Sequence, residues 1–422
     1  MAEGVFEIPP DYPEAKRPHV AEWFGHRVFP VVSGSPTALV DQKAKRCPFL
    51  TAAFRKDQLC IKLHEEGPGK TGNSEGVCTI SSTSNGPRQD WIVCPVRALD
   101  DDLLEQVVRR LYRVPNIDKI ELVPASGLAD PDLATNVVHA VHHAHERVFV
   151  YFQNKIPGQH RMGGEIRLRQ TAASPMMSFD TTIVELLPAE HRAPHPETGT
   201  DLLVRPGQYG VIELQTADTH GTYKHAVTAL RNGLDLHPAA FHAQLAANPE
   251  WTRRRIEGPN VANVFKRTIY QIAFKFQVTK QDNSAGCVLA LPQPVWDSWR
   301  RFLGAPELTP HPDGTWRLLD TPEAEPSNWI YVFDVAETPG LDGQATPVEV
   351  KLVIGTDAAT LGRAALQTAP TKAVDLGAHQ EVLRTIGERL KELLPNAVSV
   401  TDSGSKQDHS NGDRRRGDQA GE

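Results

Sequence analysis

The chain has 422 residues, 40% of them hydrophobic and 23% charged, with a formal net charge of −7. That length predicts two or three domains with a sizeable core, which excludes a single small module, and the composition is that of an ordinary globular protein. The acidic total gives no bulk attraction for nucleic acid, so any such contact must come from local clusters: Lys43, Lys45 and Arg46; Arg161, Arg167 and Arg169; Arg253 to Arg255; Lys266 and Arg267; Arg300 and Arg301.

No apolar stretch reaches the length of a membrane span, and residues 1–6 lack the basic and apolar regions of a signal peptide. A cytoplasmic protein without a membrane partner is expected. Residues 1–46 mix prolines with short apolar pieces, and a helix is expected to begin over 36–40 and end near the first cysteine. From 47 to 97, apolar runs such as Leu59-Cys60-Ile61 and Trp91-Ile92-Val93-Cys94 alternate with Gly- and Ser-rich turns, predicting short strands and loops rather than a packed core.

Residues 100–113 carry acids first, Arg109 and Arg110 last, and Leu103, Leu104, Val107, Val108 and Leu111 at helical spacing. A second helix is predicted over 132–148, opened by Asp130-Pro131, with a strand at 148–152. Three strand candidates follow, around Glu165, Asp180 and Glu213, and then a helix over 225–234. The proline-rich stretch 187–206 reads as an inserted loop between the second and third of those strands. Residues 263–276 form a helix with Val264, Phe265, Ile269, Ile272, Ala273 and Phe276 on one face. Strands are predicted at 287–291, 329–335 and 348–354, a last helix over 381–394, and a polar disordered tail over 401–422. Strands and helices without strict alternation indicate an α+β (mixed α/β) protein. The expected division is an N-terminal domain 1–125, a core 126–400 and the tail.

Four cysteines, Cys47, Cys60, Cys78 and Cys94, are spaced C-x12-C-x17-C-x15-C; Cys287 stands apart as a core residue. Five cysteines in a large cytosolic chain favour free thiols or metal ligation over disulfides. Zinc and a single iron both accept four thiolates, and four separate buried thiols are the plain reading of the same spacing.

In Val211-Ile212-Glu213-Leu214-Gln215, alternation sends Glu213 and Gln215 one way and Ile212 and Leu214 the other. Asp180 has the same setting beside Phe179 and Ile183, so two carboxylates are expected to meet across a sheet. Such a pair holds a divalent cation, which neutralises a phosphate and acidifies water; Gln215 is placed to orient that water and Glu165 adds a third acid. Carboxylates in strands are common, so this pattern alone is weak. A rival set is Asp334, Glu349 and Lys351, spaced D-x14-E-x-K, whose plain reading is a half-exposed strand with its charges in water. Gly67-Pro68-Gly69-Lys70-Thr71 ends like a phosphate-binding loop, but His64 stands where the first glycine belongs. His139, His142, His143 and His145 crowd one predicted helix and read as solvated. A non-catalytic DNA-binding protein with a cysteine staple remains the alternative to an enzyme.

Taken together, Glu22-Trp23-Phe24-Gly25, Arg46-Cys47-Pro48-Phe49, Cys60, Gly76-Val77-Cys78, Ile92-Val93-Cys94-Pro95, Gly163-Gly164-Glu165-Ile166, Phe179-Asp180, Glu213-Leu214-Gln215 and the run from Val264 to Gln271 resemble the NotI-type restriction endonucleases, over roughly residues 20–300. The resemblance implies a type II endonuclease with a PD-(D/E)XK core, a central mixed sheet flanked by helices. It implies a homodimer that cuts both strands of a palindromic, GC-rich double-stranded DNA site with magnesium. It implies a four-cysteine metal site, with iron expected and zinc the alternative, on Cys47, Cys60, Cys78 and Cys94. It also implies Glu165, Asp180 and Glu213 as carboxylates and Gln215 where most such nucleases have lysine.

Overall fold

Runs such as Glu146–Gln153 and Asn328–Val335 are so rich in β-branched and aromatic side chains that they pack best on a pleated surface. In the computed structural model, which describes residues 5–8, 12, 17–54, 56–64, 75–84, 86–98, 100–143, 146–153, 161–189, 203–336 and 344–394, they belong to one large mixed sheet. Its strands in chain order are β1 (Lys119–Pro124), β2 (Glu146–Gln153), β3 (Thr181–Pro188), β4 (Val204–Leu214), β5 (Ser284–Pro292), β6 (Thr309–Pro310), β7 (Trp316–Leu318), β8 (Asn328–Val335) and β9 (Val348–Thr356). They lie side by side as β6-β7-β9-β8-β5-β4-β3-β2-β1. Strand β3 runs antiparallel to β2 and β4, whereas β5 runs parallel to both β4 and β8. At the start of β5 the register skips a residue opposite Tyr209 and Gly210, and Gly286 takes φ +109° there, a conformation that side-chain-bearing residues resist.

Both faces of the central strands are covered. Helix α1 (Asp101–Leu111) is capped by the Asp100 carboxylate, which accepts from the backbone of Asp102 and Leu103. Its Leu103, Leu104, Val107, Val108 and Leu111 pack with Ile212, Val288, Ala290 and Tyr331. Three helices, α2 (Lys224–Leu236), α3 (Val261–Val278) and α4 (Gln293–Phe302), cover the other face, where Leu230, Ile272, Phe276 and Trp299 meet Val211, Cys287, Leu289 and Val332. Alternate residues of one strand therefore reach different cores, which is why these strands read as unbroken apolar runs. The chain divides at Ala369, and beyond it lies helix α5 (Ala378–Leu393). Among the described residues no helix is long and apolar enough to cross a membrane.

The α+β expectation matches this architecture, and the helices at 100–113, 225–234, 263–276 and 381–394 and the strands at 287–291, 329–335 and 348–354 all form. Three expectations change. The cysteine-bearing segment was expected to lack a packed core, yet Leu50, Val77, Ile80, Trp91 and Ile92 are fully buried and Pro48–Phe54 is helical. It needs no separate core because its side chains enter the same clusters as the large sheet, alongside a four-stranded sheet of His26–Arg27, His19–Trp23, Val77–Ser82 and Gln89–Ile92. The helix expected over 132–148 spans Pro131–Val141 only, since Val148, Phe149, Val150 and Tyr151 gain more by burial between β1 and β3. The loop expected over 187–206 narrows, because β3 continues to Pro188 and β4 resumes at Val204; residues 190–202 lie outside the described residues. So do the tail at 401–422, the stretch 65–74 and His145.

Candidate active site

Thr181 pairs with Ile212 in the β3–β4 hairpin, and one step further in that antiparallel register sets Asp180 opposite Glu213. The two acids are tied through the backbone: Asp180 N donates to Glu213 Oε1 at 3.3 Å, and Leu214 N donates to Asp180 Oδ2 at 3.1 Å. A short pairing of Met177–Ser178 with Arg167–Leu168 continues through a bond from Phe179 N to Ile166 O of 3.0 Å. By the same count Glu165 lies opposite Asp180. Its Oε1 accepts from Arg167 Nε at 2.8 Å, and it does not line the cavity that holds the other two acids.

That cavity, about 520 Å3, is lined by Asp180, Glu213, Gln215, Thr268, Tyr270 and Lys275 among others. Asp180 is exposed in it, whereas Glu213 is only 4% accessible, because it shares the strand face of Val211 beneath α3. Burial pushes the Glu213 carboxyl up to about 8; the neighbouring Asp180 charge adds to this and the Lys275 ammonium opposes it without prevailing. Lys275 Nζ donates to Glu213 Oε2 from α3 and is 5% accessible, with the Phe179 ring 5.9 Å away. The amide of Gln215 is engaged at both ends: Oε1 accepts from Thr268 Oγ1, and Nε2 donates to Thr216 O at 2.8 Å.

Sequence reading missed Lys275. The signal was there in α3, where Val264, Thr268, Ile272 and Lys275 follow at intervals of four, four and three, so a lysine falls on the buried stripe. A lysine on such a stripe needs an anion to meet it.

The four cysteines come together from two local pairings. Cys47 N donates to Gln58 O at 2.8 Å and Cys60 N to Lys45 O at 3.0 Å, around a bridge between Arg46 and Leu59. The carbonyl of Cys78 accepts from Val93 N and Cys94 N at 3.0 and 3.2 Å. All four thiols are buried and free of disulfides. Burial raises the Cys47, Cys60 and Cys78 thiols, and the charge of Cys94 adds to each, so the four sulfurs lie within electrostatic reach of one another. Lys62, buried and donating to Val77 O at 3.1 Å, faces the same group: burial lowers it, but Cys94, Tyr223, Cys78 and Cys60 together hold it above its usual range. Among the described residues, no three His, Cys, Asp or Glu side chains already stand in a metal-ready arrangement. The donor chemistry nonetheless fits a soft metal, with four buried thiols that feel one another's charge.

The rival acids also face each other, Asp334 in β8 opposite Glu349 in β9, with burial pushing Asp334 up to about 6. Glu349 is more than half exposed and paired with Lys351 at 2.7 Å, and the cavity that Lys351 lines contains neither acid. Cys287 is a core residue, as its apolar setting suggested. His139 lies on the 131–141 helix, while His142 caps it and contacts Leu203 O at 3.1 Å. Comparison of the chain with protein-family models and with curated proteins finds no match in either.

Proposed function

We propose that this protein is a type II restriction endonuclease, a homodimer that cuts both strands of a palindromic, GC-rich DNA site with magnesium and leaves 5′-phosphate ends. The observation that carries the reading is the facing pair Asp180 and Glu213 at the mouth of a β-hairpin, in a cavity large enough for a phosphodiester. The hairpin, the helical crossover through α2 and α3, and the parallel return along β5 fit a PD-(D/E)XK core.

One exposed and one buried carboxylate, the charge of Asp180 disfavouring that of Glu213, suit a hard divalent cation. Magnesium held by Asp180, Glu213 and the Leu214 carbonyl would supply phosphate neutralisation and a more acidic water. Gln215, two residues from Glu213 on the same face, stands at the cavity wall where the nuclease pattern has its water-orienting residue. Glu165, just before the short strand Arg167–Leu168, supports a ligand or a second cation. Cys47, Cys60, Cys78 and Cys94 hold iron, or zinc, as a structural staple. The second subunit matches the two-fold symmetry of a palindrome, and α5 offers it Leu383, Ile386, Leu390 and Leu393, all exposed and spaced by three, four and three.

The test is cleavage of a mixed plasmid and phage DNA panel with magnesium by wild type, Glu213→Ala and Glu349→Ala. Wild type and Glu349→Ala are expected to cut, and Glu213→Ala to lose about 100-fold or more. Wild type that binds duplex DNA and cuts none of it overturns the enzyme, and loss in Glu349→Ala alone moves the site to β8 and β9.

A further inference from the structure

We propose that Lys275 is a catalytic residue of this site: once a divalent cation occupies the two carboxylates, its ammonium leaves Glu213 and donates to a non-bridging oxygen of the scissile phosphate. The inference rests on the nuclease reading and adds to it the cation that the E-x-Q pattern lacks.

Three observations carry it. Among the described residues that line the cavity, Lys275 is the one cationic side chain. It already touches Glu213, so its head lies where a bound phosphate would come. Gln215, the residue that strand position nominates for the task, is held at both ends by Thr268 and Thr216. Helix α3 makes both contacts from one face, because Thr268 and Lys275 are seven residues, about two turns, apart. One turns toward Gln215 and the other toward Glu213, so α3 braces the first and supplies a mobile donor beside the second.

Charge explains the exchange. Without a divalent ion the buried Glu213 carboxyl and the buried Lys275 ammonium are each other's hydrogen-bond partner. With a divalent ion held by Asp180 and Glu213, the Lys275 ammonium would need another anion, which the phosphate would provide. The flexible four-carbon stem lets the head shift without moving the helix. In the reaction, water adds to phosphorus and the P–O3′ bond breaks, giving a 5′-phosphate and a 3′-hydroxyl; the water yields a proton to solvent and the departing 3′ oxygen takes one up. Lys275 stays protonated throughout and offsets the charge that grows on the phosphate oxygens.

The test compares wild type, Lys275→Gln and Lys275→Arg in single-turnover cleavage with magnesium, in DNA affinity with calcium, and in magnesium binding by calorimetry without DNA. Lys275→Gln is expected to cut about 100-fold more slowly with DNA affinity within about threefold of wild type, and Lys275→Arg to recover much of the rate. Because the lysine competes with the ion for Glu213, Lys275→Gln is also expected to bind magnesium several-fold more tightly, a change that a merely structural lysine would not produce. Cleavage by Lys275→Gln within about threefold of wild type overturns the proposal while leaving the nuclease intact. So does a lost rate accompanied by unchanged or weaker magnesium binding. Wild type that cuts no DNA removes the nuclease reading and this proposal with it.

Discussion

Glu213 is the residue on which the site's energetics turn. A carboxyl only 4% accessible beside Asp180 resists ionisation, and among the described residues its one cationic contact in the cavity is Lys275. Its folded value of about 8 lies above the ordinary 4.5, so across that window the native state holds a proton that the unfolded chain has released. Stability from this group is full below about 4.5 and is lost as pH rises through 8. In the absence of divalent ions the melting temperature is therefore expected to fall from pH 5 to about 8.5, more steeply in wild type than in Glu213→Gln, and added magnesium is expected to restore it at the alkaline end. Scanning calorimetry of both proteins checks this; equal slopes would remove Glu213 as the cause. Asp180, Glu213 and Gln215 were legible in the sequence because strand alternation puts polar side chains on one side by arithmetic alone. Lys275 was not, since 62 residues separate it from Glu213 and only packing brings α3 over β4.

At the scale of elements, long segments with one strong period were readable and short ones were not. The stripe of α1 and the apolar runs of β5 and β8 declare themselves, whereas the two-residue strand Arg167–Leu168 exists only because Met177–Ser178 lies beside it. The end of the 131–141 helix was set by the sheet rather than by the local pattern, whose histidines and alanine continue a helical composition past Val141. Helix α5 poses a different question. Its Leu383, Ile386, Leu390 and Leu393 are 40–74% accessible, and its Arg384 is paired with Glu381 and Glu388 along the helix. In the proposed homodimer, a stripe of that spacing flanked by charges would serve as the seam of a two-stranded coil with the same helix of a second subunit. Leu383→Glu with Leu390→Glu is expected to turn a dimer into a monomer by light scattering, with the circular dichroism melt of the rest of the chain unchanged. A double variant that stays dimeric places the subunit contact elsewhere.

Within the unit that ends at Ala369, the cysteine group and the acid pair border the same two apolar cores. Cys47, Cys78 and Cys94 belong to the same apolar cluster as Ile212, the residue next to Glu213, and Cys60 lies in the cluster that also holds Phe179, next to Asp180. Ion pairs stitch the same region, Arg97 fully buried on Glu22 and half-buried Arg231 on buried Glu75. A metal in the cysteine group would thus stabilise the whole unit rather than a hinged module. Such a metal contributes on the order of 10 kcal/mol in small domains, and in a larger body that energy spreads over one cooperative transition. Cys78→Ser is expected to lose the metal by elemental analysis, to lose any visible thiolate-to-iron absorption, and to melt on the order of 10 °C lower in a single step, with cleavage lost at the temperature where the fold is lost. Separate transitions for metal loss and for loss of cleavage would mean that the two centres are energetically independent despite the shared core. Retention of about one metal per chain in Cys78→Ser would remove that sulfur from the ligand set.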